Sequence, residues 1–204
     1  MLEEITKGVY WWRSLEVERK RYLNGYIFVG KEGLTLVDPP GLPDAVVPEV
    51  SALGEISAVI ITGRFQERRA EHFQRCNKVP LYAPEADKRL IRARADNYYK
   101  SGDVLPAGLQ AISLPHQRTP GECILFHPQK EVIVAGHLAG DPPGYINMQA
   151  ESLYHNFSSA FQAQLALLEM EHEIILPGLG TPIKEDSRGV LARYLASYQP
   201  LKRG

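Results

Sequence analysis

The sequence is poor in several of the features that announce a function. Cysteine occurs twice, at Cys76 and Cys123, far apart and in no C-x-x-C pairing. That excludes a disulfide framework and leaves two reduced thiols, most simply buried ones. No apolar run is long enough to span a bilayer, and the opening MLEEITKGVYWW has no signal-peptide pattern. A cytoplasmic protein without a membrane partner is the expectation. Charge of either sign is not in excess: the net is −1 over 204 residues, so nothing draws the whole chain to nucleic acid, and no nucleic-acid partner is expected. The six histidines form no H-x-H or H-x-x-x-H pair. Repeats, linkers and low-complexity segments are missing as well.

What remains is an ordinary globular composition, 44% hydrophobic and 23% charged, long enough for a single domain over residues 1–204 with a sizeable core. VYWW within Gly8–Arg13 reads as a first strand. RYLNGYIFV and LTLV, split by the turn residues GKEG, read as a hairpin. Asp44–Leu53 reads as a short helix. AVIIT, Ala58–Thr62, is a continuous apolar run of the kind buried on both faces. A helix over Phe65–Cys76, a strand over Val79–Tyr82 and a second helix opened by Pro84 follow. The basic stretch KRLIRARADNYYK, Lys88–Lys100, reads as an exposed helix face, and EVERKR, Glu16–Arg21, as a solvated turn. Strands are expected at Leu109–Leu114, Glu122–Phe126 and Val132–Ala135. Leu153, Phe157, Phe161, Leu165 and Leu168 recur at helical spacing as a core stripe. A late strand, Glu173–Leu176, ends in PGLG, and a last helix from near Asp186 turns Leu191, Tyr194, Leu195 and Tyr198 inward. Two sheets face to face with helices outside satisfy this order.

At this point the sequence resembles the metallo-β-lactamase superfamily. LNGYIFVGKEGLTLVDPPG is similar to the family's opening hairpin and its Asp-containing turn. AVIITGRFQER stands where the family has an apolar strand followed by Thr-His-x-His-x-Asp-His. LPHQRTPGECILFHPQKEVIVAGH resembles the Pro-Gly-His-Thr-Pro-Gly block with its two strands, and EIILPGLG resembles the late Pro-Gly-His-Gly turn. The resemblance implies a four-layer αββα sandwich with a metal site at one edge, built from loops at strand ends.

Carried over position by position, it also implies that most ligands are gone. The histidine positions of the long motif hold Gly63, Phe65 and Arg68, and its aspartate position holds Glu67. The next histidine position holds Arg118, the bridging aspartate position holds His137 (or Asp141, after a four-residue shift), and the last histidine position holds Leu179. Asp38, a supporting residue in the family, is kept. Zinc needs about three or four donors, and a guanidinium about 5 Å from a dication costs roughly 6–7 kcal/mol at an effective dielectric near 20. The expectation is therefore no cofactor: zinc is not expected and the dinuclear site is absent. Asp38, Arg64, Glu67, Arg68, His116, Arg118 and His137 are expected to converge on an arginine-rich pocket. That pocket is either structural, its guanidiniums pairing with Asp38 and Glu67, or a binding site in which a spare guanidinium grips an anionic small molecule. The chain reads as a pseudoenzyme on a hydrolase fold; the alternative is an active ester, thioester or phosphodiester hydrolase with an unorthodox site, using His137 or His116 as base. A homodimer through Trp11, Trp12, Tyr98 and Tyr99 is a further expectation.

Overall fold

A computed structural model describes residues 1–197. Twelve strands appear in chain order: β1 Glu3–Thr6, β2 Val9–Glu16, β3 Arg21–Gly30, β4 Gly33–Val37, β5 Ile56–Ile60, β6 Leu81–Pro84, β7 Asn97–Tyr99, β8 Gln110–Ser113, β9 Cys123–His127, β10 Val132–Gly140, β11 Asn147–Met148 and β12 Ile174–Gly180. The α-helices are α1 Val47–Leu53, α2 Ala70–Asn77, α3 Phe157–Ala163 and α4 Ser187–Ser197. β3 and β4 form the expected hairpin, closed by Lys31 and Glu32 between paired glycines. Gly33 has φ +125°, and a side chain there would meet the Glu55 carbonyl at 2.6 Å, so glycine is required twice over.

The strands run in the order β7-β6-β5-β4-β3-β12-β10-β9-β8, with β2 also on β3, β1 on β2 and β11 on β10. β4 through β7 pair in parallel. The two halves of this path meet at a single register pair, Leu23 with Leu179. There the sheet folds over on itself, and Asn24 ties the joint by donating to the Pro177 and Gly180 carbonyls, each at 2.9 Å.

Three cores show the layers. The central one joins Tyr26, Phe28, Val37 and Ile60 of the first half to Leu125, Val132, Val134 and Leu176 of the second. The outer faces pack on helices: Leu36, Val59 and Ile61 with Val50 and Phe73 on one side, and Ile133, Ala135 and Ile175 with Phe161 and Leu191 on the other. Neighbouring residues alternate between cores, Val59 outward and Ile60 inward, as a strand buried on both faces demands. This is the αββα sandwich.

Several local expectations are corrected. Lys88–Lys100 is not helical. A single 3-10 turn at Glu85–Asp87 is followed by irregular chain and β7, because its backbone groups find tertiary partners instead: the amides of Arg92 and Ala93 donate to Glu67 at 2.5 and 2.7 Å. The helix after β5 starts at Ala70 and not Phe65; Arg68, at φ +41°, interrupts it. The helical stripe condenses to α3 between 3-10 turns, capped by Asn156, whose side chain accepts from Ser159 N at 3.0 Å. Phe157, Phe161 and Leu168 pack on the core, while Leu153 and Leu165 are exposed. Of the aromatics expected at a dimer face, Trp12 and Tyr99 are buried. Cys123 is buried as expected, but Cys76 is exposed. Tyr198 lies outside the described residues.

Candidate functional site

The ends of β3, β4, β5, β10 and β12 meet at one edge of the sandwich, and Asp38 organises it. Its backbone stands at φ +49°, in the left-handed region that aspartate tolerates. Its carboxylate accepts from the amide and the hydroxyl of Thr62, both at 2.7 Å, which ties the end of β4 to the end of β5. Burial pushes the Asp38 carboxyl up to about 6, against the opposing pull of Arg68 and Thr62. Gly136 lets β10 approach this pair closely: a Cβ there would lie 2.6 Å from the Thr62 hydroxyl and 2.7 Å from the Asp38 carboxylate.

Arg68 crosses the joint between the halves. One terminal nitrogen donates to the main-chain carbonyls of Asn24 and, at 2.7 Å, of Asp38; the other donates to Gly178 O at 3.1 Å. The sequence reading paired guanidiniums with the carboxylates of Asp38 and Glu67, and that pairing is corrected. Arg68 takes the carbonyl of Asp38, because Thr62 already occupies the carboxylate. Glu67 faces away, spent on the amides of Arg92 and Ala93.

Arg118 finds a partner that the sequence reading missed. Its Nε donates to both oxygens of Glu122, at 3.0 and 2.9 Å, a terminal nitrogen also reaches Glu122, and the other donates to Gln149 at 2.7 Å. The side chains are 3% and 0% exposed, so this is a buried, neutralised pair. The only signal available was the R-x-x-x-E spacing, hidden because Glu122 read as the first residue of a strand. Phe65, half exposed, lies beneath the Arg118 guanidinium at 4.8 Å and the Arg64 guanidinium at 5.6 Å.

His137 is fully buried. Its Nε2 bonds to the Gln164 side-chain oxygen at 2.9 Å, and the amide nitrogen of Gln164 donates to the Ala160 carbonyl at 3.0 Å. That network places the proton on Nε2 and a lone pair on Nδ1, which has no partner. Burial lowers the pKa of His137, against the opposing pull of Glu122 and Gln164. Gln66, also missed, donates to the Gly136 carbonyl at 2.9 Å. His116 is exposed at φ +62° and Arg64 is exposed; neither is drawn into the interior. The structure thus brings together Asp38, Arg68, Arg118 and His137, and leaves Arg64, Glu67 and His116 at the rim or turned away. Cys123, close by, bonds to Tyr99 Oη at 3.3 Å, and burial pushes its thiol up to about 12: an inert structural group.

Asp87, another unforeseen residue, locks the loops. Its carboxylate accepts from Arg64 N at 2.9 Å, the Thr119 hydroxyl at 2.6 Å and Gly121 N at 2.8 Å. It holds the turn after β5 against the loop before β9.

Solved structures share this architecture. A metallo-beta-lactamase from Pontibacter korlensis superposes with a TM-score of 0.75 at 14% identity, covering 96% of this chain and 97% of that one. DIM-1 metallo-beta-lactamase gives 0.73 at 14% identity, with 95% and 97% covered. A metallo-beta-lactamase family protein from Thermus thermophilus gives 0.72 at 15% identity, with 95% and 80% covered. No curated protein matches the chain. A family model described as the metallo-beta-lactamase superfamily matches residues 4–197.

These likenesses correct the expectation that zinc has no place here, because the structures matched are metallo-beta-lactamases, for which zinc is the normal metal. The donor set of this chain does not fit that metal as it stands. Among the described residues no three His, Cys, Asp or Glu side chains are grouped to hold an ion. The His137 lone pair and a carboxylate already held by Thr62 share the edge with two guanidiniums. Fold and sequence model agree over nearly the whole described chain: it belongs to the metallo-beta-lactamase superfamily.

Proposed function

We propose that this chain keeps the metallo-beta-lactamase fold while its cleft serves as structure, so that it is a pseudoenzyme with respect to the family's hydrolysis. One observation carries the reading: two guanidiniums are buried at this edge and held by the fold, although the Arg68 Nε has no partner. Arg68 bridges carbonyls from β3, β12 and the turn after β4, and Arg118 is closed onto Glu122. The Arg68 cross-link joins segments far apart in sequence, which is the mechanical task a bound ion performs in a site of this shape. A buried carboxylate without a cation is costly, and the Arg118–Glu122 pair removes that cost.

The test is an assay of the purified protein, with and without supplied zinc, on β-lactam, ester, thioester and phosphodiester substrates, with metal content measured on the same samples. Turnover indistinguishable from background on all of them supports the reading. Turnover that rises with bound zinc overturns it.

Two observations favour secondary readings. Arg64 is exposed at the rim and, among the described residues, has no carboxylate within salt-bridge distance, which supports a small anionic ligand there; a panel of anionic metabolites should then raise the melting temperature of the wild type and not of Arg64→Ala. His137, whose Nδ1 has no partner, is the group that an active hydrolase would use as base. His137→Gln would abolish turnover in that case.

A further inference from the structure

The segment Arg64–Lys100 holds ten arginines and lysines against five aspartates and glutamates, so it carries +5 in a chain whose total is −1. The remainder therefore carries −6, and whole-chain charge conceals a strongly basic face. Each acid of this segment has a hydrogen-bond or ion-pair partner, and the excess of five cations stands with all of those carboxylates counted as charged. Glu67 is bonded to the amides of Arg92 and Ala93. Asp87 is buried and bonded to the backbone and Thr119. Asp96 accepts from Leu81 N at 2.9 Å and Gln74 at 2.7 Å. Glu71 pairs with Arg75 and Glu85 with Lys100. Arg64, Arg69, Lys78, Lys88, Arg89, Arg92 and Arg94 are exposed, and among the described residues none lies within salt-bridge distance of a carboxylate.

These cations form one surface. Glu67 ties the loop at Arg92 to the turn that carries Arg64, and Gln74 of α2 ties it again by donating to the Arg94 carbonyl at 2.9 Å. Arg75, Lys78 and Arg94 line an open depression of about 730 Å³ between α2 and that loop, together with the carboxylates Glu71 and Asp96. Aromatic rings stand among the cations. Phe65 is 44% exposed beside Arg64, and Tyr98 lies under Lys88 at 4.5 Å. A compact anion engages two or three groups. Cations spread along a loop and a helix, with rings between them, suit an extended polyanion that has flat bases to stack.

We propose that this face binds single-stranded nucleic acid, with the arginines of the 88–94 loop on the phosphates and Phe65 as a stacking platform. The departure from the sequence reading has a definite cause: a whole-chain charge count averages this +5 segment with the −6 remainder. The proposal is independent of whether the cleft hydrolyses anything.

Fluorescence anisotropy with labelled oligouridine and oligothymidine tests it on the whole chain. Binding is expected at about 50 mM salt, weakening about a hundredfold by about 200 mM if roughly five phosphates are engaged. The triple reversal Arg89→Glu, Arg92→Glu, Arg94→Glu should abolish it with an unchanged circular-dichroism spectrum. The single changes Arg92→Glu and Arg94→Glu should each show part of the loss, and they decide the matter if the triple variant does not fold. Phe65→Ala should weaken binding about tenfold, and Arg188→Glu, exposed on α4 on the opposite outer layer, should not change it. No anisotropy change at low salt overturns the proposal. So does undiminished binding by the folded reversal variants, or binding to phosphatidylserine vesicles without binding to either oligonucleotide.

Discussion

Arg68 and Arg118, beneath the strand ends, carry the same side chain as Arg89, Arg92 and Arg94 on the outer loop, into opposite surroundings. The first two are enclosed by carbonyls and by Glu122. The others stand exposed to water. A guanidinium cannot shed its charge, so a buried one needs acceptors around it, which Arg118 finds for its Nε and both terminal nitrogens and Arg68 for its terminal nitrogens but not its Nε, whereas an exposed one is already solvated. The cleft arginines therefore belong to the stability of the fold, and the loop arginines are free to meet something outside it. The two regions adjoin: Glu67 and Asp87, the acids between them, are used to position backbone and neutralise neither set.

The contrast can be broken most severely at Glu122. Glu122→Gln leaves Arg118 buried without its counter-charge and should cost about 3–5 kcal/mol, read from urea unfolding; a loss below about 1 kcal/mol would show that the pair is not enclosed. Arg68→Met should cost about 3 kcal/mol, since three carbonyls lose a charged donor together.

Asp38 comes next. Its carboxyl titrates near 6 when folded against an ordinary 3.8, so the native state holds the proton more tightly. Its contribution is fully present below about pH 4 and is lost as the pH rises through about 6, a fall of roughly 2–3 kcal/mol. Asp38→Asn should remove that fall. His172 works in the opposite direction. It is buried against Ser187 and the Leu167 carbonyl, and burial takes it down to about 4; its contribution is present above its ordinary pKa and is lost as the pH falls through about 4. Unfolding midpoints between about pH 4 and 7 for wild type and Asp38→Asn should separate the two, with the variant alone gaining stability steadily as the pH rises.

The smallest effect sharpens the comparison from the other side. Arg92→Glu and Arg94→Glu should each change stability by no more than about 0.5 kcal/mol. A larger loss would mean that these side chains also hold the fold.

Legibility followed the range of the interactions. The β3–β4 hairpin was readable because Gly30–Gly33 and the alternating apolar residues around it act within a few positions. The loop at Lys88–Lys100 was misread as helix because what decides it is Glu67 and Gln74, reaching across from another element. At the site, the absence of metal-donor side chains at Gly63, Phe65, Arg68, Arg118 and Leu179 is a matter of residue type alone. The place of Glu122 could not, nor could the choice by Arg68 of three carbonyls over a carboxylate.

By itself, then, the sequence determined the layering: apolar periodicity is a local property, and it dictated which strands had to be covered on both faces. It also placed arginines at 68 and 118, next to the ends of the strands. Only the tertiary structure decided what each cation touches. Arg68 meets Gly178 across 110 positions of chain, and no local pattern encodes a hydrogen bond whose two ends come together only after two sheets have closed on each other.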